Sequence, residues 1–249
     1  MLTGQTYNDA VYGFWAKRFA CQQTDFFTPC TWVRKEEDLL DSGKCFLYHI
    51  EKASIIRIDP ALAEAIDLPG GMYPRPTALT TKELQLIAGG KYTVDVTSTL
   101  LDHFVEPADF KAFPVPAGFS VRYLDGEKDH DTLRDFYQQC SAEDLDEAMI
   151  YLDEPDPVIL GLFDGEQMAA YASHRYWDDI LADVGVLVNK DYRQRGLGKA
   201  VVAELCQWCF DHDIVPMYRA MEYNTGSLRI PRALGFKLLL KIESLMITE

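Results

Sequence analysis

The sequence predicts an α/β (α+β) protein, because segments that alternate like strands are interleaved with segments whose apolar residues recur at helical spacing. The clearest case is residues 180–210. There a strand with Val184, Val186 and Val188 on one face leads through a cationic, glycine-containing loop into a helix. Two more observations agree: residues 44–58 have the pattern of a β-hairpin, and residues 7–20 have an aromatic stripe at helical spacing.

The elements predicted for the first part of the chain are short. Proline is favoured in the first turn of a helix, and threonine is a good helix cap. In order, we predict a turn-like segment at 26–32, strands at 44–50 and 54–58, a short helix from Pro60 to Ile66, a loop at 68–75, a helix from Thr80 or Thr81 to Ile87, and a strand at 92–96.

Residues 107–118 contain three prolines and a glycine, which is typical of a linker between folded units. We therefore predict an N-terminal lobe at 1–112, which is a smaller α/β unit, and a second domain at 113–249. In order, the second domain should contain a strand at 119–123, a helix at 129–139, a hairpin at 158–163 and 168–174, the strand and helix of residues 180–210, a strand at 215–222, a helix from Asn224, and a final strand at 236–247.

Composition excludes some classes of partner. The chain has 249 residues, of which 48% are hydrophobic, and a net charge of −15, so we expect a folded protein whose acidic surface repels nucleic acid and anionic membranes. An apolar run long enough to span a membrane and a signal peptide are both absent, which predicts a cytoplasmic protein. In that compartment the six cysteines should be reduced thiols.

The loop between the strand and the helix at residues 180–210 predicts an anion site. The first N–H groups of a helix have no intrahelical partner, and glycines let a ligand approach them closely. Here Gly196 and Gly198 lie beside Arg193, Arg195 and Lys199, and residues 190–199 have a local charge of +3. The site therefore suits a pyrophosphate.

Spacing excludes two familiar pyrophosphate loops. A Walker loop needs a glycine where the chain has Arg193, and a Ser or Thr where it has Ala200. A dinucleotide-binding loop places its first glycine directly after the strand and needs a third glycine where the chain has Val201. Cys206 and Cys209 are spaced as CxxC, but they lie inside the helix with no second pair nearby, so we interpret them as core thiols and predict no metal site.

The segment Arg193-Gln194-Arg195-Gly196-Leu197-Gly198 resembles the acetyl-CoA motif of the GNAT superfamily of acyl-CoA-dependent N-acyltransferases. Asn224 and Ser227, followed by Gly235-Phe236, are similar to a second pattern of that family, and the resemblance extends over about residues 117–249. It implies a mixed, mostly antiparallel sheet flanked by helices. The N-terminal lobe is then either a degenerate GNAT-like half or an unrelated cap.

The resemblance also implies an activity, the transfer of an acetyl group from acetyl-CoA by direct attack of a small-molecule or peptide amine. In such an enzyme two strands part and leave backbone groups free for the pantetheine arm. The residues that would contact acetyl-CoA are Val186, Leu187, Val188, Arg193, Gln194, Arg195, Gly196, Leu197, Gly198, Lys199, Asn224 and Ser227. The candidates for the catalytic base are Asp183, Glu222 and Tyr223, with a water chain as the alternative.

Three features keep alternatives open. Pro231 occupies the position at which many GNAT enzymes have a general-acid tyrosine, which favours a second hypothesis: a catalytically silent CoA-binding regulatory or scaffold protein. Asn224 is either a CoA contact or a helix cap. Residues 143–156 contain seven acids and no base, so this stretch is either a solvated face or part of an acceptor pocket that favours a cationic amine.

Overall fold

A computed structural model describes residues 4–151 and 153–249. The α-helices are α1 Gly4–Phe19, α2 Pro60–Ala65, α3 Thr81–Ala88, α4 His130–Tyr137, α5 Ala142–Glu147, α6 Leu197–Asp211 and α7 Arg229–Leu234. The strands are β1 Cys30–Lys35, β2 Lys44–Ile50, β3 Ala53–Ile58, β4 Gly71–Pro74, β5 Thr93–Phe104, β6 Phe119–Leu124, β7 Val158–Asp164, β8 Gln167–Trp177, β9 Leu181–Val188, β10 Val215–Met221 and β11 Lys237–Thr248. The predicted fold class is confirmed: the strands are mixed, mostly antiparallel, and flanked by helices.

The chain divides into two compact units. The first, here called the hairpin unit, consists of Val11–His103, Ala220–Thr225 and Leu238–Glu249. The second, here called the loop unit, contains Phe104–Arg219, Gly226–Lys237 and the segment that ends at Ala10. None of the described helices is long and apolar enough to span a lipid bilayer.

The hairpin unit is built around the predicted hairpin of β2 and β3. Its strands follow the order β4-β1-β3-β2-β11-β5, and β1 is parallel to β3. Isoleucines 55, 56 and 58 of β3 are fully buried, and because neighbouring residues of a strand point to opposite faces, both faces of β3 are covered. Thr80 caps α3 in a reciprocal capping box with Glu83, so the predicted helix start is confirmed.

Two predictions in this unit are wrong. Residues 26–32 are not simply a turn, because a 3₁₀ segment at Gln23–Phe27 is followed by strand β1 from Cys30. Residues 68–75 are not entirely a loop, because Gly71–Pro74 pair with β1 as an edge strand. Proline is tolerated on an edge strand, where its missing N–H breaks no ladder on the outer side.

The predicted division at residues 112 and 113 also needs a correction. Strand β11 pairs antiparallel with β2 from Leu240 opposite Ile50 to Met246 opposite Lys44. The last strand therefore belongs to the hairpin unit, although the prediction placed it in the second domain. The cause is long-range strand pairing, which no local pattern reveals.

The loop unit contains strands β6 to β10 in the order β10-β9-β8-β7-β6. Neighbouring strands are antiparallel except β9 and β10, which are parallel. Phe136 and Tyr137 of α4 pack on Tyr171 of β8. Cys206 and Cys209 are fully buried free thiols within α6, as predicted, and burial raises the pKa of both.

Gly235 ends α7 in the left-handed conformation, with φ of 88°. A Cβ atom added there would lie 2.2 Å from the backbone oxygen of Asp109, so neither the backbone angle nor the space suits a side chain. The segment around Asp109 is held by the bond from the Lys111 N–H to the Leu234 oxygen and by the ion pair between Asp109 and Lys237.

We expect Gly235→Ala to lower the free energy of unfolding by at least about 2 kcal/mol, measured by urea denaturation. The matched control is Gly165→Ala, which also has a positive φ but has no atom within 4 Å of the added methyl group, and should cost only about 1 kcal/mol. Equal losses for the two variants would contradict the role of the Asp109 contact.

Candidate active site

Strands β9 and β10 part soon after they meet. β8 pairs with β9 along its whole length, from Leu181 to Val188. The register between β9 and β10 consists of three pairs, from Leu181 opposite Val215 to Asp183 opposite Met217. Within the described residues, the edge of β9 that faces away from β8 therefore has no strand partner beyond Asp183.

The direction of the backbone groups along β9 follows from one hydrogen bond. The Asn189 N–H donates to the oxygen of Ala169, at the end of β8. Because N–H and C=O groups in a strand alternate between its two edges, the amides of Val186 and Val188 point to the unpaired edge. Leu187 was predicted to contact acetyl-CoA, but its orientation differs from that of Val186 and Val188. Its backbone faces β8, and its side chain is buried in the core with Tyr171 and Phe136.

Helix α6 is the next α-helix after β9, and it begins at Leu197 after a loop that contains a 3₁₀ turn at Lys190–Tyr192. Gly196 is its N-cap with φ of 84°, and no side chain caps the helix. The N–H groups of Leu197, Gly198 and Lys199 thus belong to the first turn, in which amides lack intrahelical acceptors. A helix of 15 residues places the positive end of its dipole there.

The loop cations have distinct roles. Arg193 is exposed but engaged, since it donates to the carbonyl oxygen of Val188 at 3.2 Å and to Asp144 at 2.8 Å. Arg195 is exposed, and its guanidinium lies over the Tyr192 ring. The Lys199 ammonium lies over the Phe113 ring. Gln194, between the two arginines, is also exposed and has a φ of 66°. Arg193 therefore holds the loop in place, whereas Arg195 presents its charge to solvent.

The two glycines of the loop are needed for packing as well as for backbone conformation. A Cβ atom on Gly196 would meet the Phe113 ring at 3.2 Å, and one on Gly198 would meet Val188 and Ile230 at the same distance. We predicted that these glycines make room for a phosphate. The structure adds a second reason for glycine, since a methyl group at either position would press against these side chains, and the room for a phosphate stays a prediction.

Asp183 lies where β9 and β10 part. Its side chain is buried and accepts a hydrogen bond of 3.0 Å from Arg219 of β10. Burial raises the pKa of the Asp183 carboxyl, and the Arg219 guanidinium opposes this effect only in part. Asp183 also lines a pocket, together with Ala148, Met149, Asp156, Arg175, Val184 and Gly185.

The other predicted catalytic residues belong to the hairpin unit. Glu222 donates its backbone N–H to the oxygen of Thr99, and Tyr223 is exposed. Asn224 is not a helix cap, since α7 begins at Arg229 with Leu228 at its N-cap. In the loop unit, the Ser227 hydroxyl lies 2.8 Å from the hydroxyl of the buried Tyr218.

The acidic stretch is more than a solvated face. Asp144 binds Arg193 of the loop, and Asp156 lines the pocket. Asp156 accepts a hydrogen bond from Ser173 and forms an ion pair with Arg175 at 3.4 Å. In residues 4–151 and 153–249, no group of three or more His, Cys, Asp or Glu side chains is arranged to hold a metal ion.

Sequence analysis missed His174, a buried residue of β8. Its ring lies 5.1 Å from the Trp208 ring of α6, and neither ring nitrogen has a hydrogen-bond partner among the described residues. Burial lowers its pKa to about 4, so the imidazole is neutral at physiological pH. The alternation of β8 could have placed it on the α6 face, opposite Arg175.

Comparisons with known proteins agree with this architecture. The family model described as "Acetyltransferase (GNAT) family" matches residues 122–236. No curated protein matches the chain in sequence.

Three solved structures are similar to parts of the chain. A GCN5-related N-acetyltransferase from Kribbella flavida has 18% identity and a TM-score of 0.50; the match covers 68% of this chain but only 64% of the Kribbella chain. A tandem GNAT protein from the clavulanic acid biosynthesis pathway has 13% identity and a TM-score of 0.48; the match covers 71% of this chain and 61% of the tandem protein. A Drosophila protein has 14% identity and a TM-score of 0.45; the match covers 97% of this chain and 88% of the Drosophila chain. At these identities the likeness concerns the fold alone.

The buried state of His174 predicts a pH dependence of stability. A histidine whose pKa falls from its ordinary 6.5 to about 4 on folding is protonated more readily in the unfolded chain, so stability falls as pH drops from 6.5 toward 4. The loss should reach about 3 kcal/mol. His174→Phe keeps the ring contact with Trp208 and removes this contribution.

Urea denaturation at several pH values between 7 and 4 measures the effect. We expect the free energy of unfolding to fall less steeply for His174→Phe than for wild type as the pH drops over this range. For the control variant at an exposed histidine, His130→Gln, the difference from wild type should stay constant. A constant difference between wild type and His174→Phe would contradict the prediction.

Proposed function

We propose that this protein transfers an acetyl group from acetyl-CoA to the amine of a small molecule or peptide. The reason is that the chain belongs, through residues 122–236, to the GNAT acetyltransferase family. Family membership supports acyl transfer in general. The specific acceptor and the N-acetylation are our proposal. The observation on which it depends is the unpaired edge of β9, which leads through a cationic loop to the N-terminus of α6, where no side chain caps the helix.

The groups at this edge fit the donor substrate. Pantetheine contains two amides, which match the backbone groups of Val186 and Val188 in the manner of an added strand. A pyrophosphate matches the amides of residues 197–199 and the exposed charge of Arg195. Acetyl-CoA bound in this way would supply a thioester whose carbon–sulfur bond breaks as the amine nitrogen bonds to the acetyl carbon.

Asp183 is the best placed of the predicted bases. It lines a pocket that includes Val184 and Gly185, beside the start of the unpaired edge. Its pKa is raised by burial, which brings a carboxylate closer to the operating pH of a general base. The Arg219 guanidinium keeps it ionised enough to accept the proton that the attacking amine loses.

A second function, binding of CoA without turnover, is favoured by one observation. Pro231, within α7, is buried and has no group that can protonate a leaving thiolate. A thiolate is a good leaving group that needs little help, so acetyl transfer does not require a proton donor at position 231. Release of free thiol from acetyl-CoA, tested over a panel of amines, separates the two functions. Thiol release supports acetyl transfer, and tight CoA binding without release supports the regulatory alternative.

Arg195→Ala should weaken CoA binding by about tenfold, because it removes a charged hydrogen-bond donor from the pyrophosphate. Isothermal titration calorimetry measures the Kd. The control is Lys82→Ala, which removes an exposed cation of α3 in the hairpin unit and should leave the Kd unchanged. An unchanged Kd for Arg195→Ala would exclude this loop from the CoA site.

Asp183→Asn should lower kcat by about 10²-fold and abolish the acid limb of the pH dependence of kcat/KM, if Asp183 is the base. Arg219→Gln should keep that limb but move it to higher pH, because loss of the guanidinium raises the pKa of Asp183 further. An acid limb that is the same in all three proteins would assign the proton to another group or to water.

A further inference from the structure

The pocket next to Asp183 contains charges of both signs. Two of its lining residues are acids, Asp156 and Asp183, and one is a base, Arg175. Asp183 is already neutralised by Arg219 at 3.0 Å. Asp156 and Arg175 lie 3.4 Å apart, and this single contact leaves the exposed guanidinium with further donors, so the pocket offers a cation as well as carboxylates to a ligand. A purely cationic acceptor, as the acidic stretch alone suggested, would leave the guanidinium of Arg175 without a counterpart in the ligand.

Arg175 has donors available for a ligand. Its side chain is 43% exposed, and among the described residues its ion pair is with Asp156, at 3.4 Å. A guanidinium has five N–H donors in a planar fork, and that fork matches the two oxygens of a carboxylate. By contrast, the side chain of Asp156 is only 8% exposed and is oriented by Ser173.

The remaining residues that line the pocket are apolar. They form a wall of Ala148, Met149, Val184 and Gly185, and Gly185 allows the chain at Ala148 to approach, since a Cβ there would lie 3.2 Å from the Ala148 oxygen. This wall suits an aliphatic group of modest size. Together the lining groups match a ligand with an ammonium, a carboxylate and an aliphatic side chain.

We propose that the acceptor is an amino acid with an aliphatic side chain, whose carboxylate is bound by Arg175 and whose amine lies beside Asp156 and Asp183. This inference rests on the proposed acetyl transfer and specifies its substrate class. The nitrogen–carbon bond forms as the thioester carbon–sulfur bond breaks. The ammonium first loses one proton to solvent, so that the neutral amine attacks. Asp183 takes the second proton, which the nitrogen loses as the amide forms, and the CoA thiolate is protonated by Asp183 through water or by solvent. Arg175 is the residue that determines specificity.

Three acceptors that differ only at the carboxylate test the inference: leucine, leucinamide and 3-methylbutylamine. Thiol release from acetyl-CoA gives kcat/KM for each, and calorimetry in the presence of CoA gives their affinities. We expect wild type to prefer leucine over both analogues by at least tenfold. Arg175→Gln should reduce that preference at least tenfold, mainly through KM, and Arg175→Lys should restore part of it.

The matched control is Arg134→Gln. Arg134 is 42% exposed and also pairs with acids, Asp131 and Asp135, but it lies on α4 outside the pocket lining, so the preference for leucine should persist. The inference is overturned if leucinamide or 3-methylbutylamine binds as well as leucine, if leucine does not bind, or if its binding is indifferent to Arg175. The calorimetric result decides this without turnover, whereas acetyl transfer itself fails only if no amine in a broad panel releases thiol.

Discussion

The early end of pairing between β9 and β10 is the constraint on which the site depends. The last pair joins Asp183 to Met217, and two residues further along β10 Arg219 reaches back to the Asp183 carboxylate. Beyond that point β8 is the strand paired with β9, so the amides of Val186 and Val188 lack a strand partner among the described residues. Unpaired backbone groups are costly unless water or a ligand satisfies them, which makes this edge suited to binding an extended amide-containing chain.

The same ion pair connects the unpaired edge of β9, where we propose that acetyl-CoA binds, with the pocket beside Asp183, where we propose that the acceptor binds. Asp183 contacts Arg219 on the neighbouring strand and, through the pocket, shares a wall with Arg175 and Asp156. Breaking a buried pair by removing one partner is far more costly than its net contribution to stability suggests. In the proposed reaction, the carboxylate of Asp183 would therefore both take the proton of the attacking amine and hold the two parting strands together.

The strand, loop and helix of residues 181–211 could be predicted from sequence because local signals determine each part: alternation in β9, a glycine with positive φ at residue 196, and a helical apolar stripe in α6. The predictions failed where distant residues decide. β1 and β4 are held by pairing with strands that are far along the chain, and β11 joins β2 rather than the second predicted domain. For the same reason the contact of Phe113 with Gly196 and the engagement of Arg193 by Asp144 were not predictable.

Amide hydrogen exchange, resolved by residue with NMR in the absence and presence of saturating CoA, tests directly whether the edge of β9 and the start of α6 bind CoA. If the unpaired edge of β9 and the first turn of α6 bind the donor, the amides of Val186, Val188 and residues 197–199 should exchange more slowly when CoA is bound. The amide of Leu187, which faces β8, should be protected in both states. Tight binding of CoA with unchanged exchange at Val186, Val188 and residues 197–199 would show that CoA binds elsewhere.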